Sequence, residues 1–394
     1  MKKLYISILM MIFVMLALAG MTYGANKEII EVPDVKIIMD GQLTHYTDVP
    51  LCIRQNTLLP LRELLVNLGV PNDIEHINYN DKEKSVTIIK DQTRIYLAVG
   101  NQTATINDQP VKLSVAPVGY EKNQRIYIPF RFIAEALGKK VAWDGSSNAI
   151  LVCDPAIFES TRQILDNTDA AMKLAGKYRQ TFDVNSISQS GQTSMKIGIN
   201  AEALIDKVQK RMLMKMALNI LGIEMKTDTY YIERDSYIQD PLSQTWQKKT
   251  YLQPEYDKLF AVQSDTIALK ANEPLCAGLT EVSGNNSDEI LLKGDVYLGE
   301  LFKKALTNQP AGNVRITEKE LDFDTFYTEI SININTFLIN SIIMKVGSAQ
   351  ITNKETITTD VNVKVQFNDF NGDFQILVPE DIIKNAVETK LTAK

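Results

Sequence analysis

Cysteine is scarce in this 394-residue chain: Cys52, Cys153 and Cys276 are all it has. Three thiols do not make a disulfide framework. Cys52 and Cys153 fall near the two ends of a first domain, where a bond between them and a buried free thiol at each are both open readings. Cys276 reads as free. Histidine is scarcer still, with His45 and His76 alone, and two imidazoles with no partner spacing do not make a copper site. No basic block occurs either. Against 48 Asp and Glu stand 42 Lys and Arg, a net charge of −6, which argues against nucleic acid and against electrostatic docking on anionic lipid. There is no glycine-rich phosphate loop, no G-x-S-x-G, no H-E-x-x-H and no paired-cysteine zinc spacing. Asp322, Asp324 and Glu329 are acidic neighbours at turn and strand positions, where a solvated face is expected. Asn368–Asp373 lacks a glutamate at the loop end and reads as a β-turn rather than a calcium loop. With no nucleophile–base pair and no ligand set in view, no catalytic residue, no metal site and no cofactor is expected.

What is present begins with an apolar N-terminus. Lys2-Lys3 precede Leu4–Leu18, an almost unbroken apolar run, and Thr22-Tyr23-Gly24 precede a cut before Ala25, the layout of a secretory signal over residues 1–24. Ala17-Leu18-Ala19 offers a second cleavage site, and an uncleaved anchor is the rival reading, because the run is nearly long enough to span. No cysteine follows the run, so a lipid-modified N-terminus is not expected. The sequence thus predicts a secreted or cell-surface protein with no stable membrane span once the signal is cut. The remaining length suits two ordinary domains.

The first domain is organised around Arg125–Asp144. A short strand, Arg125–Ile128, runs into a helix started by Pro129 and stopped by Gly138, and a strand carrying Trp143 follows. Proline suits the first helical position, where its missing N–H would be unpaired, and glycine suits the positive φ just past the end. A second copy lies upstream: Pro60, Arg62, Leu68 and Gly69 precede Pro129, Arg131, Leu137 and Gly138 by one constant offset. That is an internal repeat, each half being strand, short helix and hairpin. Arg62 and Arg131 oppose the helix dipole, and are read as buried braces held through their planar guanidinium forks, with a ligand-binding role as the alternative. Trp143 and its counterpart Tyr79 are read as core aromatics.

These residues carry a resemblance. The paired Leu/Ile-Pro-Leu/Phe-Arg…Leu-Gly segments, the Val141-Ala142-Trp143-Asp144 string and the intervening Val99–Asn107 stretch resemble the copper amine oxidase-like N-terminal domain, or stalk domain, of secreted Gram-positive bacterial proteins. The resemblance covers residues 29–153 and implies a non-catalytic appendage. The oxidase chemistry itself needs three histidine ligands and a tyrosine within Asn-Tyr-Asp/Glu, and Asn78-Tyr79-Asn80 lacks the acid after tyrosine.

In the second domain, residues 154–394, Asp154-Pro155 opens a helix whose Ile157, Thr161, Ile164, Leu165, Thr168, Met172 and Ala175 share one face. Extended segments follow at 193–200, 208–219, 222–234, 236–238 and 245–251, then helical stretches at 254–259, 286–292 and 297–306. Strands return at 315–335, 337–347 and 356–368, and a proline-started turn at 378–383 closes the chain. This order, the opening helix and the Asp228–Lys249 segment are similar to the LolA and LppX type of lipid and lipoprotein carrier and to exported DUF-type families. The fold class expected is α+β: an N-terminal two-repeat sheet with short helices, then a curved antiparallel half-barrel with capping helices. Within it, Met212, Met214, Met216 and Leu218 alternate and so share one face of a strand. Ordinary core, a deformable wall for an apolar ligand, and thioether binding of a soft metal are the three readings, the last weakened by the lack of nearby histidine or cysteine. The expectation is a non-enzymatic scaffold or carrier whose partners are a cell-wall or envelope component, a lipid, or both. A purely structural or interaction module is the alternative.

Overall fold

The computed structural model describes residues 29–264, 269–283, 288–299, 324–351 and 356–388. The signal at 1–24, Asp322, most of the helix expected at 297–306 and the strand start expected at 315–323 lie outside the described residues. The protein is a mixed α and β fold dominated by strands. It divides into two compact units, one built from residues up to Asp34 and from Tyr46–Leu137, the other from Val35–His45 and from Gly138 onward.

The first unit holds two five-stranded sheets. Strand Asn56–Pro60 runs straight into helix Leu61–Asn67, and strand Arg125–Pro129 into helix Phe130–Ala136. The two strands pair antiparallel, Leu59 opposite Ile128. Each proline closes its strand and caps the helix, so both helices begin one residue later than the sequence predicts. The prolines' φ values of −56° and −59° are those the pyrrolidine ring imposes. Gly69 and Gly138 follow the helices at φ +78° and +77°, the left-handed stop expected of them.

The arginines correct the reading above. Arg62 and Arg131 are exposed rather than buried. Arg62 donates to the Asn72 Oδ1 at 2.5 Å, and Arg131 lies 3.4 Å from Glu135 one turn along its own helix. The reason is periodicity. Leu61, Leu64 and Leu65 in one helix and Phe130, Ile133 and Ala134 in the other fill the inward face, which turns the second residue of each helix outward. Trp143 is corrected in the same way: it is 46% exposed, and Tyr79 is 36% exposed. Trp143 sits on Lys140–Asp144, the edge strand of its sheet, where one flank meets solvent.

The second unit contains that four-stranded sheet, in the order Lys140–Asp144, Ala149–Cys153, Lys36–Met39, Gln42–Thr44. It also contains a twelve-stranded sheet that curls as a half-barrel. Its spatial order is Thr280–Ser283, Glu289–Gly294, Thr325–Asn333, Ile339–Ile351, Thr356–Asn368, Lys177–Ser190, Thr193–Asp206, Arg211–Ile220, Ile223–Ile232, Asp235–Gln239, Trp246–Thr250, Val387–Glu388. Helix Pro155–Leu174 buries Phe158, Thr161, Ile164, Leu165, Thr168 and Met172 at three- and four-residue spacings. Asp154 stands at its N-cap position, but its carboxylate takes Lys139 Nζ at 2.8 Å instead of a helix N–H.

Two strands depart from the sequence reading. Lys177–Ser190, at the middle of the large sheet, went unread because Gln180, Ser186 and Ser188 interrupt its apolar alternation. Residues 286–292, expected to be helical, hold most of strand Glu289–Gly294, paired on both sides. A short apolar run such as Ile290-Leu291-Leu292 has no period that separates the two states.

Three glycines let this unit close. A Cβ on Gly294 would stand 1.9 Å from the Gly278 carbonyl oxygen, and one on Gly278 would stand 2.2 Å from Val296 and 2.5 Å from Leu151. Gly41, at φ +80°, turns between strands beside them. Asp295 ties the junction: its N–H donates to the Gly41 carbonyl at 2.7 Å, and its carboxylate accepts from the Leu43 N–H at 2.7 Å. All three cysteines are free. Burial pushes the Cys153 thiol up to about 12 and the Cys276 thiol up to about 11, which leaves both inert near neutrality.

Candidate functional site

Register places Met212, Met214, Met216 and Leu218 on one face of strand Arg211–Ile220. Their cross-strand partners on Ile223–Ile232 are Tyr231, Thr229, Thr227 and Met225. On the other side they meet Ile205, Ala203, Ala201 and Ile199. The same face continues through Tyr178, Phe182 and Val184 to Phe367, Val365 and Val363. The result is a broad apolar face, and its alternation is legible in Met195-x-Ile197-x-Ile199-x-Ala201-x-Ala203-x-Ile205, next to the methionines and Leu218 on which the sequence reading rests.

Burial along this face is graded. Met212 is 2% exposed and Met216 7%, and Met212 shares one core cluster with Phe158, Leu165 and Met172 of the long helix and with Tyr256 and Phe260 of helix Gln253–Ser264. Met214, Leu218, Met225, Ile197, Ile199 and Ile220 are half-buried. Farther along, Met195 is 43% exposed and Ile223 68%. The helices therefore fill one end of the apolar face, and cover decreases toward the hairpin turns.

Polar groups on this face are mostly satisfied. Thr227 Oγ1 donates to the Gln239 carbonyl at 2.6 Å, and Tyr256 OH to the Lys210 carbonyl at 2.6 Å. Burial pushes the Tyr231 hydroxyl up to about 12. Thr229, opposite Met214 and 1% exposed, is the exception: its hydroxyl has no partner among the described residues. An unpaired buried hydroxyl loses its water without compensation. Thr229→Val keeps the volume and removes that loss, so the variant is expected to gain roughly 1 kcal/mol, read as a higher urea midpoint.

The opposite face of these strands is polar. Gln366, Thr181, Glu202, Lys215 and Asp228 make one row across five strands, and Lys364, Asp183, Asn200, Ala217 and Lys226 make the next. They border a cleft of about 620 Å³. Burial holds the Asp228 carboxyl above its ordinary range, with Lys215 opposing. Carboxylates and ammoniums share this lining with Phe182, Ala201, Met216 and Ala217.

Pro60, Arg62, Gly69, Pro129 and Arg131 belong to the first unit, and Gly138, Trp143 and the methionines to the second. Among the described residues no group of three or more His, Cys, Asp or Glu is placed to hold a metal ion, and no helix is long and apolar enough to cross a membrane.

A family model described as a family of unknown function, DUF6612, matches residues 160–387, more than half of the chain, and the protein belongs to that family. The model of the Copper amine oxidase N-terminal domain matches residues 38–152. No curated protein matches the chain. Among solved structures, LprF from Mycobacterium bovis is similar at a TM-score of 0.32 and 10% identity, covering 56% of this chain and 97% of that one. A DUF1329 family protein from Desulfovibrio piger is similar at a TM-score of 0.21 and 8% identity, covering 55% and 95%. A LolA superfamily protein from Nitrosomonas europaea gives a TM-score of 0.18 and 9% identity, covering 56% and 96%.

Proposed function

We propose that this protein is a secreted, non-catalytic binding protein of the cell envelope, and that the less covered part of its apolar sheet face holds a lipid or another apolar ligand. The gradient of burial carries the reading: apolar side chains continue along the ladder past the point where the helices cover them. A core alone has no use for half-buried Met225, Ile197 and Ile220 beyond its edge, whereas a flexible thioether and branched aliphatic wall suits an acyl chain. The site narrows accordingly. Met212, packed by helices, and buried Met216 are support, and Met214 and Leu218 are the wall. The repeat built on Pro60, Arg62, Gly69 and Pro129, Arg131, Gly138 is read as a scaffold that presents this face or anchors it to an envelope component.

Organic-solvent extraction of the purified protein, followed by mass spectrometry, tests the ligand. Copurifying lipid is expected, together with a rise in the thermal midpoint when lipid is added back. A clean extract with an unmoved midpoint leaves the face a structural one.

A further inference from the structure

The hairpin of Arg211–Ile220 and Ile223–Ile232 turns through Leu221 and Gly222, and the flanking Ile220 and Ile223 pair directly. Both turn residues have positive φ, +52° and +85°. That is a two-residue turn of type I′, whose first position belongs to Asn, Asp or Gly because the left-handed region is disfavoured for other side chains. Leucine occupies it instead, 69% exposed. Among the described non-glycine residues at positive φ, Leu221 and Phe337 are the apolar ones. Phe337 packs against the core, which compensates its backbone. Leu221 stands out in solvent.

Its surroundings say what would compensate it. Ile223 beside it is 68% exposed, and Met195 on the neighbouring hairpin is 43% exposed. No ionisable residue occurs from Val184 to Met195 or from Met216 to Ile223, although the chain as a whole is 23% charged. The charges nearest the tip are Lys196 and Glu224, the latter paired with Lys226 at 3.0 Å, and the apolar end formed by Leu221 and Ile223 matches a lipid surface. The pairs behind the turn, Ile220–Ile223, Leu218–Met225, Met216–Thr227 and Met214–Thr229, lead without a charge from the tip to the proposed ligand wall.

We propose that this hairpin tip is a bilayer contact: Leu221 and Ile223 enter the lipid surface and bring the apolar ladder against it, so that an acyl chain passes between membrane and protein without crossing water. The proposal rests on the lipid-binding reading above and adds where the lipid enters.

The test uses the protein beginning at Ala25, which keeps every described residue, sedimented with phosphatidylcholine–phosphatidylglycerol vesicles beside its Leu221→Asn variant. Asparagine is a preferred residue of this turn, so the variant's thermal midpoint is expected to hold or rise while its vesicle binding falls about tenfold, the loss of one apolar side chain from the lipid phase. Equal binding by both proteins overturns the proposal, and so does a lowered midpoint, which would make Leu221 a packing residue. Wild-type protein that stays in the supernatant also overturns it, whether or not the tips then pair two copies of the chain. Lipid extraction separates the two readings. A protein that carries lipid but ignores vesicles loses the tip and keeps the ligand wall. One that binds vesicles through Leu221 yet carries no lipid keeps the tip as a membrane contact and loses the wall.

Discussion

Gly294→Ala is expected to cost the second unit about 3 kcal/mol, the upper end of the usual range for overpacking, because the atoms it meets cannot yield. The added Cβ would meet the Gly278 carbonyl oxygen at 1.9 Å, and that oxygen is backbone, without a rotamer to swing aside. Relief requires the end of strand Glu289–Gly294 to part from helix Glu273–Gly278, and Asp295, tied to Gly41 and Leu43, resists that movement. A calorimetric scan should show the midpoint of this unit lowered by roughly 6–12 °C. Gly119→Ala is the control: a Cβ there meets nothing within 4 Å, and little change is expected. A midpoint unmoved in Gly294→Ala would mean that the junction is looser than its distances.

Two methionines two residues apart are expected to answer glutamate differently. Met212 is 2% exposed, among Phe158, Leu165 and Tyr256, and a carboxylate there is buried without a cation. Met212→Glu should cost on the order of 3–5 kcal/mol, the scale of an uncompensated buried charge, and yield little folded protein by circular dichroism. Met214 is half-buried and its new carboxylate can reach toward water, so Met214→Glu should fold with a cost of roughly 1–2 kcal/mol and lose lipid uptake. If both variants unfold, the whole stripe is core; if Met214→Glu folds and still takes up lipid, the wall lies elsewhere.

Much of this architecture was written in local pattern. The proline-then-glycine punctuation of both short helices, the one-sided apolar spacing of Pro155–Leu174 and the alternation of Thr356–Asn368 each depend on near neighbours, and a reader of the chain can see them. What escaped was set at a distance. Lys177–Ser190 has a weak pattern of its own because its strand state is imposed by partners on both sides, Thr193–Asp206 and Thr356–Asn368. Arg62, Arg131 and Trp143 were read as buried by residue type, and only the angular position of each around its helix or at its sheet edge decides otherwise. For the candidate site, the shared face of Met212, Met214, Met216 and Leu218 followed from strand period alone. The division of that face into covered and less covered parts did not, because it depends on where helices from other parts of the chain come to rest.

The four-stranded sheet sets a boundary where the family models do not. Its strands come from residues 36–44 and 140–153, largely inside the region matched by the Copper amine oxidase N-terminal domain, yet Ile38, Ala142 and Leu151 share a core with Phe158, Leu275 and Leu292. Lys140 lies 5.0 Å from the Phe158 ring and Lys36 5.4 Å from the Phe326 ring. The family segments and the compact units are thus cut along different lines. A segment exchanged at residue 153 would therefore have to supply not a new neighbour but the missing half of a shared interior.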